Sequence, residues 1–183
     1  MAIALLLGAY GLARSGFGTN GFGTNGFGTN GPSETGVRST VTADARATDA
    51  GTGQPSAAEE ALFGAINRAR TDRGLAALAE SAPLGRAARA HSADLKATSR
   101  CSHDGSDGSS LEDRLAAVEV NLQRYGEVVA CGSASADAAV EQWLASSAHR
   151  DILLGRGFRT VGVGVALGAN AADGRWTAVL GTP

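Results

Sequence analysis

The sequence has no excess of basic charge: across 183 residues, 16 Lys+Arg face 18 Asp+Glu, for a net charge of -2. Nucleic-acid binding, which relies on clustered Lys and Arg, is thereby disfavoured. The apolar run at 2–13 is 12 residues long, short of the roughly 20 that span a bilayer as a helix. It has the length of a signal-peptide core and ends in the small residues Gly11 and Ala13. The usual basic start is missing, since the first basic residue, Arg14, lies behind the run. Residues 1–14 are therefore expected to direct export. Cysteine and histidine are scarce, at two and three residues, and aromatics make up only 5%.

The chain divides at Pro55. Residues 1–55 hold 12 of the 26 glycines and neither tryptophan, while 56–183 hold both. Three copies of Gly-Phe-Gly-Thr-Asn at 16–30 lead into a Ser/Thr/Gly/Ala stretch. A five-residue unit with two glycines cannot bury a face, so 15–55 reads as a disordered linker rather than a solenoid. About 40 such residues reach roughly 35 Å, which suits a spacer from a membrane or cell wall. The remaining 128 residues, 56–183, are enough for one independently folding domain.

Within that domain the pattern predicts helices first and a hairpin last. Ser56 and Glu59 form a capping box for a helix over 57–73, closed by Gly74. Ser81-Ala82-Pro83 opens a second helix that ends near Thr98. The segment 101–110 is rich in turn formers, and Ser110 caps a short helix through Val118. A strand is expected at Tyr125–Ala130 and helices at 135–146 and 148–154. Period-two strands at 160–165 and 175–180 then form an antiparallel hairpin. This order argues for an α+β fold rather than a doubly wound parallel sheet.

Two cysteines, Cys101 and Cys131, in an exported chain read most simply as a disulfide. Such a bridge would pin the His103 loop beside the Glu127 strand. The competing reading is a nucleophilic Cys101 activated by His103, which would need an orienting third group. His91 lies on the apolar stripe of the second helix and reads as a core histidine. No apolar pattern explains His103 or His149. Two imidazoles and a carboxylate, naturally Glu127, make a three-ligand zinc set, provided that the fold brings positions 103, 127 and 149 together.

Several motifs, taken in order, resemble the CAP superfamily (cysteine-rich secretory proteins, antigen 5 and pathogenesis-related 1) in its bacterial SCP-like form. They are Asn67-Arg68 with Gly74-Leu75, the run Ala87 to Asp94 containing His91, His103-Asp104-Gly105, Gly126-Glu127, Trp143 to Arg150 containing His149, Val161 to Gly164, and Trp176-Thr177. The resemblance implies a three-layer α-β-α sandwich with a central antiparallel sheet, secretion, and a cleft in which His103, Glu127 and His149 gather. It also implies that zinc or another divalent cation is held there in some members. Two departures stand out: Val128 replaces the Asn of Gly-Glu-Asn, and Ser146 stands where eukaryotic forms carry a second glutamate. The ligand set is then His103 and His149, with or without Glu127, completed by water.

The expected function is a secreted or surface-tethered, monomeric, non-enzymatic module that binds a cell-surface ligand or protein through this cleft. The alternative is a metal-assisted hydrolase in which Glu127 ligates the ion or acts as base, with Asp104 or Asp107 as the spare carboxylate; both aspartates also suit loop capping. A third reading, a sterol or lipid carrier, gains no support from five aromatics in 56–183.

Overall fold

The computed structural model describes residues 54–170 and 173–183. The expected export segment and the linker with its repeats, apart from Gln54 and Pro55, lie outside the described residues. Among these, no helix is long and apolar enough to cross a membrane.

Helix α1 spans Ala57–Thr71, and its start is the predicted capping box: Glu59 N donates to Ser56 Oγ while Ser56 N donates to the Glu59 carboxylate. Leu62, Ala65, Ile66 and Ala69 form its buried stripe. The helix stops two residues before the predicted end because Asp72 caps it, and Gly74 turns the chain at φ +68°. Strand β1, Ala79–Glu80, follows. It is too short to leave a period in the sequence, and Asn67 supports its approach by exchanging two hydrogen bonds with the Leu78 backbone.

Helix α2 is Ala82–Ala97 with Ser81 as N-cap, and α3 is Leu111–Ala117 with a Ser110/Asp113 capping box. Strand β2 is Arg124–Cys131, one residue longer at each end than predicted. Helices α4, Ala136–Ala145, and α5, Ser147–Leu153, come next. Strands β3, Thr160–Ala166, and β4, Arg175–Thr182, form the hairpin.

The sheet order is β1-β3-β4-β2. Its three long strands are antiparallel, and only the two-residue β1 runs parallel to β3. Alternation along the strands sorts residues into two layers. Val128, Val161, Ala178 and Leu180 join Leu62, Ile66, Trp143 and Leu153 in the larger core, under α1, α4 and α5. Val179 meets Leu84, Ala88 and Leu115 of α2 and α3 on the opposite face. The described residues thus form the expected α-β-α sandwich.

Buried Arg70 ties α1 to the end of α5, donating from Nη1 to the carbonyls of Leu153 at 2.7 Å and Gly155 at 3.1 Å. At Gly126 an added Cβ would come within 3.0 Å of Ile152, so glycine lets α5 settle closely over β2. Cys101 and Cys131 are bridged, which joins the chain after α2 to the far end of β2. Replacing both with serine is expected to cost about 3–4 kcal/mol by releasing a 30-residue loop in the unfolded chain. Urea denaturation of the variant beside the oxidised parent measures that loss.

Candidate functional site

Strand β2 is an edge strand, and period two turns Glu127 toward α2 and α3. Its side chain is 3% exposed and is held from both sides. Arg114 of α3 donates from Nη2 to Glu127 Oε2 at 2.8 Å, while His103 Nδ1 lies 3.0 Å from Oε1. The same guanidinium also donates to the carbonyls of His103, at 3.0 Å, and Ser109, at 3.2 Å. A planar fork with several donors suits such simultaneous contacts.

His91 sits beneath this group. It is fully buried on α2, as the apolar stripe predicts, but its Nε2 lies 3.0 Å from Ser102 O and 3.8 Å from Glu127 Oε1. Ser106 donates from its backbone N to Asp94 at 2.8 Å and from its hydroxyl to the same carboxylate. Together with the disulfide, these contacts fasten the 101–110 loop to α2, α3 and β2.

His149 approaches from the other layer, near the start of α5. Its ring centroid is 6.1 Å from that of His103, with the planes 43° apart. The fold therefore brings positions 103, 127 and 149 together at the edge of β2, with Glu127 behind His103. Both oxygens of Glu127 are engaged by Arg114 and His103, so an ion drawing on this carboxylate would compete with both contacts. Among the described residues, no group of three or more His, Cys, Asp or Glu side chains is placed to hold a metal ion. A cation here would meet two imidazoles and otherwise water.

The neighbouring positions are also accounted for. Val128 points into the larger core and is fully buried. Ser146 is the N-cap of α5, with no side-chain capping bond. Asp107 accepts from Ser109 N at 2.9 Å, a bond that holds its carboxyl below the usual range, and so acts as a loop cap. Asp104 is exposed, and its backbone N donates to Ser102 Oγ. Sequence reasoning missed Arg114 as a site residue and His91 as a member of the cluster. The signal for Arg114 was a lone basic residue on a short helix that precedes the strand carrying Glu127, which no periodicity distinguishes.

Burial lowers the pKa of His91, outweighing the attraction of Glu127. Burial, then the nearby His103, lowers that of His149. Between each depressed folded value and the ordinary value of 6.5, the unfolded chain carries a proton that the folded chain lacks. Stability is therefore expected to fall as pH drops below about 6.5, by at most about 1.4 kcal/mol per pH unit for each such histidine. Denaturation midpoints measured between about pH 7.5 and pH 5 check this, and His91→Gln is expected to flatten the profile.

The fold and cluster define an α-β-α sandwich with His103, His149 and Glu127 grouped at an edge strand. The model of the family described as CAP, Cysteine-rich secretory protein family, matches residues 63–180, and the chain belongs to that family. Two Bacillus subtilis proteins are similar in sequence. "Uncharacterized membrane protein YlbC" is 37% identical over 58% of this chain and 31% of its own length, and "Uncharacterized protein YkwD" is 30% identical over 69% and 50%. The chain thus spans a third to a half of these curated relatives. An extracellular protein containing a SCP domain from Bacillus anthracis is similar in structure, with a TM-score of 0.62 and 31% identity over 68% of this chain and 40% of that one. An outer surface protein from Borrelia burgdorferi shares the fold, with a TM-score of 0.61 and 18% identity over 67% of this chain and 90% of that one.

Proposed function

We propose that this chain is an extracellular, non-enzymatic binding module whose recognition site is the cleft of His103, Glu127 and His149. Its ligand is a partner at the cell surface, and the linker serves as a tether. The observation that carries this reading is the engagement of Glu127. A carboxylate that is 3% exposed and already bonded through both oxygens to Arg114 and His103 is closed off from solvent and poorly placed to activate water or a substrate hydroxyl. What faces outward is the imidazole pair, which can grip a ligand.

The extracellular setting is supported by two structural neighbours described as an extracellular protein and an outer surface protein, and by the oxidised cysteine pair. Two recesses of about 240 and 180 Å³ include neither His103 nor His149, and both fall below the roughly 300 Å³ at which small-molecule pockets begin, so neither supports the lipid-carrier reading.

The test pairs zinc calorimetry with a turnover screen. Zinc heats are expected for the parent and are expected to be lost in His103→Ala and His149→Ala. No turnover is expected across peptide and ester libraries with zinc added. Turnover that depends on Glu127 would overturn the non-enzymatic reading, and equal zinc heats in all three proteins would remove the imidazole pair as a cation grip.

A further inference from the structure

We propose that Arg114 is a positioning residue that decides which nitrogen His103 presents to the cleft. An ionised carboxylate only accepts hydrogen bonds. The 3.0 Å contact between Glu127 Oε1 and His103 Nδ1 therefore places the imidazole proton on Nδ1. A neutral ring has one N–H, so Nε2 is left with its lone pair. Arg114 holds both ends of this contact, Glu127 through Oε2 and His103 through its own carbonyl, and one nitrogen, Nη2, makes both bonds. That fork ties the carboxylate to the loop backbone at His103 itself, where the disulfide and the Ser102 and Ser106 contacts do not reach.

His91 provides an internal contrast. Its Nε2 faces the carbonyl of Ser102 at 3.0 Å, which also only accepts, so its proton sits on Nε2. Its Nδ1 has no partner, as a proton-free nitrogen lacks a donor's requirement for an acceptor. Two histidines on either side of one carboxylate thus hold opposite tautomers, and only the His103 tautomer depends on Arg114.

The ligand class follows, given the reading of the cleft as the recognition site. A lone pair backed by a carboxylate selects a partner that offers an ammonium, amide N–H or hydroxyl donor, and it disfavours a carboxylate or phosphate. The positive charge of Arg114 does not reverse this, because it is buried and already paired with Glu127.

The chain's three histidines make the test simple. The full chain, labelled with ¹⁵N at histidine, is observed by long-range proton–nitrogen correlation at about pH 8, where an ordinary imidazole is neutral. His103 is expected as the Nδ1–H form and His91 as the Nε2–H form. This measurement uses neither variant nor ligand, so it stands or falls apart from the proposed function. In Arg114→Gln the His103 signals are expected to move to a mixture of tautomers while His91 stays unchanged, and Arg114→Lys restores the Nδ1–H form. An Nε2–H form of His103 in the parent, or an unchanged Nδ1–H form in folded Arg114→Gln, overturns the positioning role. Methylammonium is expected to perturb the His103 signals more than acetate at equal concentration, and the reverse order overturns the ligand class.

Discussion

Replacing Gly164 with alanine is expected to cost the domain about 3 kcal/mol, the upper end of the usual range for overpacking, and to lower its melting temperature by roughly 10 °C. An added Cβ would stand 2.2 Å from Ala88 C and from Arg89 N. Gly162 is placed alike, 2.1 Å from Gly85 N and 2.2 Å from Leu84 C. These neighbours are helix backbone, so no side-chain rotation relieves the clash and α2 itself must lift from the sheet. The two glycines form the strip on which α2 lies, and lifting α2 would move His91 and Asp94, which anchor the 101–110 loop from below.

Gly85→Ala is the control of opposite sign. Its own Cβ would meet only the flexible Arg89 guanidinium, at 3.5 Å or beyond, in the interior of a helix where alanine is favoured by about 0.5–1 kcal/mol. Thermal melts of the three variants decide the matter. Equal, small shifts for Gly164→Ala and Gly85→Ala would show that α2 can retreat without cost.

The same glycines mark how far the sequence could be read. Alternation at 160–165 predicted a strand, and the capping residues Ser56 and Ser110 predicted helix starts, because each signal is local in the chain. That two glycines leave room for a helix is not local: it depends on Leu84 to Arg89 lying above them. The cleft divides in the same way. His103 and His149 stood out because no apolar pattern explained them, and the resemblance to a family put Glu127 beside them. Arg114 carries no such mark, since its role exists only where α3 crosses β2. His91 was read correctly as buried, yet its approach to Glu127 depends on α2 and β2 facing each other across the layer.

Removing Glu127 alone is expected to destabilise the domain more than removing it together with Arg114. Both side chains are buried, Glu127 at 3% and Arg114 at 9% exposure, with 2.8 Å between them. Glu127→Leu leaves a guanidinium buried without its counter-charge, a situation that typically costs about 3–5 kcal/mol. Arg114→Met leaves the carboxylate in the matching predicament, with only His103 and His91 near it. The double variant Arg114→Met/Glu127→Leu strands neither charge, and apolar replacement of such pairs is often close to neutral. Recovery here is expected to be incomplete, because Arg114 also serves the carbonyls of His103 and Ser109. Those carbonyls lie in a loop that water can reach, so each lost bond is expected to cost only about 1 kcal/mol. Urea denaturation of the four proteins gives the coupling directly. A double variant whose loss relative to the parent equals the sum of the two single losses would mean that the two charges do not depend on each other. A double variant that regains stability would show that an apolar pair can replace the ion pair without loss of the fold. The chain would then keep a charged pair at this depth for what it does to His103, and the same double variant is expected to lose the Nδ1–H form of that residue while remaining folded.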